Sequence, residues 1–383
     1  MKTAAIIAEY NPFHDGHKYH IEKTREVATH VVVVMSGNFT QRGDVAITPK
    51  HNRAETALQN GADLVIELPV AFALSSAEQF AVGAVALLNA LGTVDMLSFG
   101  SECGDASLLK EAAGAVHYAQ TTDEFFSAMR GGKTYPAALQ SAVEKYYTDD
   151  VVDVLAHPNN TLAVEYIKAL NESGSAIQPF TIKRKGAGHD EHVCDNADTI
   201  MCASQIRKKV LCGEIPPSDA GLQPELICDI MRLESAILAK LRMMSIKEIK
   251  KAPNVSGGLE NRIFKAARGA KSLSELYFLS KTKRYTLARI RRAVLCCFLG
   301  ITESDVKIGP QYVRILAMND RGKEILTKRC ALPANSSLAA LMKTGDNAKR
   351  QALLEDRCTN VHALAFEKNQ VCGKEFTEQM IKG

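Results

Sequence analysis

Thr3-Ala4-Ala5-Ile6-Ile7-Ala8-Glu9-Tyr10-Asn11-Pro12-Phe13-His14-Asp15-Gly16-His17-Lys18-Tyr19-His20 decides the fold. The run Thr3–Ala8 reads as a strand, and a helical pattern opens at His17 and reaches Thr29. Between them stands His-x-Gly-His. Gly16 would let a phosphate approach the backbone closely, and a helix N-terminus supplies free N–H groups and positive partial charge. Two imidazoles three residues apart can face the same side. There they would donate to phosphate oxygens as charge builds on them during in-line attack. A metal reading of His14, His17 and His20 is weaker, because zinc pairs on helices are usually four apart and no carboxylate pattern completes a shell. No metal site is therefore expected.

Outward from this turn, Val31–Met35 is too continuous for a strand with a wet face and should be a buried parallel strand. His51–Asn60 is helical, Asp63–Leu68 is a third strand, Ser76–Leu91 has helical spacing up to Gly92, and Met96–Phe99 is a fourth strand ending at Gly100. This alternation predicts an α/β fold, a Rossmann-like doubly wound parallel sheet whose strand ends receive the ligand. A helix at Asn160–Asn171, a strand at Gln178–Lys183 and a helix beginning near Ser204 would continue it. Gly213–Ser218 breaks the pattern, so the expected domains are 1–217 and a mainly helical 218–383. In the second, helical patterns cover Leu222–Met244, Leu259–Ala267, Ser272–Leu279 and Leu287–Leu299, with a short strand at Val313–Ala317.

A net charge of +4 over 383 residues conceals an asymmetry. Residues 1–220 carry 18 Lys and Arg against 27 Asp and Glu, net −9, and residues 221–383 carry 29 against 16, net +13. The basic half is suited to a polyanion. With 46% hydrophobic and 23% charged residues the chain should be globular rather than disordered. No apolar run is long enough to span a membrane, and no secretion signal opens the sequence. Its ten cysteines include no Cys-x-x-Cys pair, the pattern of reduced cytosolic thiols, so a cytoplasmic protein is expected. Cys296 and Cys297 lie in an apolar helical stretch and read as core.

His-x-Gly-His at this turn resembles the phosphate-handling signature of the nucleotidylyltransferase and class I synthetase superfamily. Longer motifs narrow this: Ala8 to His17, Val34-Met35-Ser36-Gly37-Asn38-Phe39-Thr40-Gln41-Arg42-Gly43-Asp44, Gly61 to Pro69, Phe99-Gly100-Ser101-Glu102, Pro158 to Leu162, Ile182-Lys183-Arg184 and Lys283 to Arg292. Together they resemble the bacterial tRNA(Met) cytidine acetate ligase family over most of the chain. The resemblance implies that residues 1–217 form a nucleotidylyltransferase-type ATP-binding catalytic domain and 218–383 a tRNA-binding domain. It implies an enzyme that consumes ATP, expected with Mg2+, and acetate to make N4-acetylcytidine at the wobble position of elongator tRNA(Met), acting on tRNA and not on DNA or a membrane.

By the same resemblance ATP is held by Ile7, Ala8, Glu9, Tyr10, Asn11, Pro12, Phe13, His14, Asp15, Gly16, His17, Lys18, Tyr19 and His20, with His14 and His17 on the phosphates as catalytic groups. Gly100, Asn159 and Arg184 are the later contacts. Asn159 and Asn160 compete for one of these roles, since one of them could be a helix cap. Arg184 competes with a reading as a solvated basic loop. The second phosphate motif falls on Met201 to Arg207, giving Ser204 and Arg207; Met201 and Cys202 depart from the serine and threonine usual there. Ser36, Asn38 and Arg42 follow the second strand at the same sheet edge and are expected to line an acetate pocket. Lys281, Lys283, Arg284, Tyr285, Arg289, Arg291 and Arg292 form a basic stripe with an aromatic, suited to RNA phosphates and base stacking. His189 and His192 read as a polar loop. Two rival functions stand beside this: an adenylyltransferase or amide-forming ligase acting on a small metabolite, and an inactive RNA-binding relative.

Overall fold

Val31, Val32, Val33 and Val34 have no wet face because helices pack on both faces of their strand, while parallel strands flank its two edges. The computed structural model describes residues 1–184, 201–327 and 330–383. The strands are β1 (Thr3–Ala8), β2 (His30–Ser36), β3 (Phe39–Thr40), β4 (Asp44–Val45), β5 (Leu64–Leu68), β6 (Met96–Ser101), β7 (Gln178–Lys183), β8 (Val313–Met318), β9 (Ala334–Asn335) and β10 (Ile381–Lys382). The main sheet runs β10-β8-β5-β2-β1-β6-β7, with β9 beside β8 and a separate β3–β4 hairpin. Ile6 pairs in register with Val33, and Val33 with Val65.

Strands β2 and β5 extend the sheet on one side of β1, while β6 and β7 extend it on the other, all parallel. The order therefore reverses beside β1, and the crevice beyond the carboxyl ends of β1 and β6 is the place where such a sheet takes its ligand. Helices cover both faces, as the sequence predicts.

The chain beyond residue 218 does not stay apart from this sheet. β8 pairs antiparallel with β5, Leu64 opposite Met318, and β9 and β10 add to β8. β5 is wholly buried and would otherwise be an apolar open edge; a strand from late in the chain covers it.

Local differences have local causes. The first helix spans Asp15–Arg25 and starts before His17 because His14 caps it, Nδ1 accepting from Gly16 N–H at 3.0 Å. Leu222–Met244 is not one helix. Short turns at Pro217–Ala220, Pro224–Leu226 and Ile230–Leu233 precede a helix at Glu234–Met243, since Pro224 lacks the N–H that a helix interior needs. The helices Ala106–Ala119, Asp123–Arg130, Tyr135–Tyr146 and Asp149–Ala156 occupy a stretch to which sequence reasoning assigns nothing. Their starts carried a signal: Asp105, Thr122 and Thr134 each cap a helix through the side chain. Cys296 and Cys297 are buried in helix Leu287–Leu299, as expected.

Candidate functional site

A cavity of about 310 Å³ opens at the carboxyl ends of β1 and β6. From the first turn it is lined by Ile7, Ala8, Glu9, Tyr10, Asn11, His14, His17 and His20. Gly100, Asn159, Arg184, Ser204, Arg207 and Arg42 reach the same space. Six separated sequence segments thus meet where the strand order reverses.

The turn itself is built around the two histidines. A Cβ on Gly16 would lie 2.7 Å from His14 Cε1, so only glycine fits beneath that ring. The His14 and His17 rings stand 3.9 Å apart, centroid to centroid, and Tyr10 and Phe13 brace His17 at 4.9 and 5.6 Å. Because His14 Nδ1 accepts from Gly16, its proton sits on Nε2 when the ring is neutral. Burial, with the Arg184 charge added, lowers His14 to about 4. Burial also lowers His17, with His14, His20 and Arg184 adding repulsion. Both rings are therefore neutral donors at physiological pH. His20 is lowered to about 4 by burial and then Arg184. Thr24 Oγ1 donates to the His20 carbonyl, so its lone proton is used; Ser98 Oγ must then donate to Thr24 and accept from His20 Nε2–H at 3.0 Å.

Pro12, Phe13, Asp15, Gly16, Lys18 and Tyr19 do not line the cavity. Phe13 packs against the His17 ring, while Asp15 and Lys18 are exposed on the helix. Asn159 and Asn160 separate cleanly. Asn160 is 1% exposed, its Oδ1 accepting from the N–H groups of Glu102 and Cys103 at 2.8 and 3.3 Å. Asn159 stands at the cavity wall, its Oδ1 3.4 Å from Arg184 Nη1. Arg207 donates to the Asn11 carbonyl, and burial lowers its pKa despite Glu9 and Asp44. Ser204 stands in the first turn of helix Ala203–Leu211, with its hydroxyl 3.0 Å from Cys202 Sγ.

The expected acetate residues divide. Arg42 lines the cavity, but Ser36 is fully buried and Asn38 faces elsewhere. Asn38 Oδ1 accepts from Lys50 N–H and its amide donates to Thr359, so its polar atoms serve the fold.

The basic stripe divides as well. Lys281, Lys283 and Arg284 are exposed. Tyr285 is 4% exposed and its hydroxyl donates to Gly257 O, so it cannot stack a base in this arrangement. Arg289 is tied to Asn254 O and Ser256, and its guanidinium lies 5.3 Å from the Tyr285 ring. Arg291 lies over the Tyr277 ring, and Arg292 is buried with Nη1 donating to Gln41 O. The helix buries Arg292 and holds the half-buried Arg289 and Arg291 against a neighbouring loop and ring, at the very spacing that looked like an external stripe. His189 and His192 lie outside the described residues.

Sequence reasoning missed the apolar wall of the cavity: Phe80, Phe99, Leu162 and Tyr166, with Phe99 and Tyr166 rings 5.9 Å apart. Phe99 and Leu162 stand in motifs that carry the family resemblance, but only strand and helix periodicity marks Phe80 and Tyr166, and periodicity does not distinguish a cavity wall from core. Among the described residues no group of three or more His, Cys, Asp or Glu could hold a metal ion, and no helix is long and apolar enough to cross a membrane.

The HIGH Nucleotidyl Transferase family model matches residues 1–377. The tRNA(Met) cytidine acetate ligase of Acetivibrio thermocellus is 37% identical over 415 residues, covering all of both chains. The chain belongs to this family. The tRNA(Met) cytidine acetate ligase of Clostridium perfringens strain ATCC 13124 is 38% identical over 391 residues, covering 95% of each chain. The crystal structure of Thermotoga maritima TmcAL bound with alpha-thio ATP superposes with a TM-score of 0.89 at 30% identity, covering 100% of this chain and 99% of that one. The apo form of TmcAL gives 0.90 at 31% identity. Membership of the tRNA(Met) cytidine acetate ligase family agrees with the nucleotidyltransferase-type sheet and with the cavity at its switch point.

Proposed function

We propose that the chain activates acetate with ATP and transfers the acetyl group to N4 of the wobble cytidine of elongator tRNA(Met). The observation that carries this is the convergence of His14, His17, Arg184, Ser204 and Arg207 on one cavity at the strand-order reversal. These are anion donors, and acetate needs activation because its carboxylate is a poor electrophile.

In the first step an acetate oxygen attacks the α-phosphorus of ATP. The bond to the bridging oxygen breaks, giving acetyl-adenylate and pyrophosphate. His14 Nε2–H donates to phosphate oxygens, with His17 beside it, and Arg184 and Arg207 offset the charge that accumulates. Neutral histidines suit this role, since they stabilise charge without giving up a proton. The cytosine N4 then attacks the acyl carbon, AMP leaves, and the amine loses a proton. The protein contributes position and charge, and no covalent nucleophile is needed. Phe80, Phe99 and Tyr166 offer an apolar surface for the nucleoside, and Arg42 is placed for the small carboxylate. Mg2+ is expected to arrive on the triphosphate with phosphate and water as its main ligands.

The exposed Lys281, Lys283 and Arg284, on a segment of net charge +13, are the proposed tRNA contacts. The functional division is ATP within 1–217 and tRNA within 218–383, even though the latter also completes the sheet. We place the reaction in the cytoplasm, where tRNA and reduced thiols occur together.

ATP–pyrophosphate exchange tests the first step, and labelled acetyl transfer to tRNA the second. Exchange that requires acetate, followed by transfer to tRNA(Met), supports the reading. Exchange driven by another small acid or amine, with acetate inert, would replace it with the metabolite ligase; no exchange at all would favour the inactive RNA-binding relative.

A further inference from the structure

Arg292 lies within the basic stripe but faces the ATP cavity's outer wall. Its side chain is 8% exposed, and Nη1 donates to the Gln41 carbonyl at 3.1 Å. Gln41 and Arg42 sit in the β3–β4 hairpin, and both line the cavity. The hairpin is held at two further points: Gln41 N–H donates to Glu9 Oε1 at 2.7 Å, and the Gln41 amide reaches Ser75 O at 3.5 Å. At its tip, Gly43 has φ +75°, and a Cβ there would lie 2.6 Å from both Arg291 Cβ and the Arg292 nitrogen. Hairpin and helix Leu287–Leu299 therefore meet with the Gly43 backbone directly against the Arg291–Arg292 backbone and the Arg291 Cβ.

We infer that Arg292 is a positioning residue for the ATP site, holding the Gln41–Arg42 hairpin against the cavity, rather than a tRNA contact. A guanidinium is costly to bury, and burial lowers its pKa to about 10, yet its principal hydrogen bond goes to a main-chain carbonyl on the wall of another segment's cavity. Such a bond fixes where Arg42 stands without touching a substrate. It also ties a helix in the basic half to the nucleotide-binding half. Displacing a binding group by even 1 Å costs up to about a hundredfold in rate. This inference rests on the proposed reaction only for its kinetic readout.

The test compares full-length Arg292→Gln, Arg292→Lys and Gly43→Ala, in exchange without tRNA and separately in tRNA binding. In acetate-dependent ATP–pyrophosphate exchange, Arg292→Gln and Gly43→Ala are expected to lose about tenfold or more in kcat/KM, with the KM for acetate rising. Arg292→Lys keeps a donor for Gln41 O and should recover to within about threefold of the parent. Hydrogen–deuterium exchange across residues 39–45 gives a readout independent of the reaction: Arg292→Gln should speed it, and bound ATP should protect it less. Should the parent show no acetate-dependent exchange, the proposed reaction fails, and the positioning role is decided by that hydrogen exchange alone. Arg292→Gln with parental ATP–pyrophosphate exchange and unchanged hairpin protection, but weak tRNA binding, overturns the inference. If Arg292→Gln does not fold, Gly43→Ala decides it by the same two measurements.

Discussion

Glu102 Oε1 accepts a 2.5 Å hydrogen bond from the Asn159 side-chain amide, while its Oε2 accepts from the Asn160 N–H at 2.8 Å. One carboxylate at the end of β6 thus secures the start of helix Pro158–Glu172 and orients the residue that faces the cavity. The Asn159 NH2 group points to Glu102, which leaves Oδ1 toward Arg184. Adjacent asparagines have opposite duties, one toward the ligand and one toward the fold.

Asn160→Ala should therefore cost about 1–3 kcal/mol of stability by leaving the Glu102 and Cys103 amides without their acceptor. Asn159→Ala should leave the urea midpoint near the parental value and weaken ATP binding by about tenfold, as loss of one polar contact does. Urea denaturation and calorimetric ATP titration check the pair; equal loss of stability from both would contradict the division.

The Lys50 ammonium, 2% exposed, bonds both oxygens of Glu67 at 2.7 and 2.8 Å and also Glu375. Burial opposes its charge, but the carboxylates of Glu375 and Glu67 outweigh burial and raise its pKa. Lys50→Met strands two buried carboxylates and should cost roughly 3–5 kcal/mol in chemical denaturation. A cost below 1 kcal/mol would show that the cluster relaxes or is wet.

Acid should destabilise the fold in a defined window. Burial lowers His14 and His20 to about 4 and His362 to about 3, whereas the unfolded side chains titrate near 6.5. Below 6.5 the unfolded chain binds protons that the native chain does not. The contribution is thus complete above 6.5 and shrinks as pH falls through the folded values. Melting temperatures at pH 7, 5.5 and 4.5 should fall in that order, and His362→Gln should flatten the trend; a level profile would rule this out.

Replacing Lys281, Lys283 and Arg284 by Gln should weaken tRNA binding and reduce the salt slope of log K by about 2. Tyr285→Phe should leave tRNA affinity unchanged and cost roughly 1 kcal/mol through its lost bond to Gly257. Filter binding across a salt series reads the first, and a melting curve the second. A Tyr285→Leu variant that melts near the parental temperature yet cannot bind tRNA would restore the base-stacking role.

The sequence by itself determined what short-range chemistry can encode. A continuous valine run needs strands on both sides, and His-x-Gly-His after a first strand needs a helix N-terminus with a glycine under the His14 ring. Those requirements gave the sheet, its ligand edge and the first wall of the cavity. Direction across the chain was beyond it. Helical spacing places Arg289 and Arg292 on one face but does not say whether that face meets water or another segment; only packing against the hairpin and the 254–257 loop turned them inward. Likewise β8 joins β5 because that edge lacked a partner, a contact between residues far apart in sequence. Periodicity records which side of an element is apolar or charged, whereas the partner of each side is chosen by long-range burial, and that choice is made in the tertiary structure.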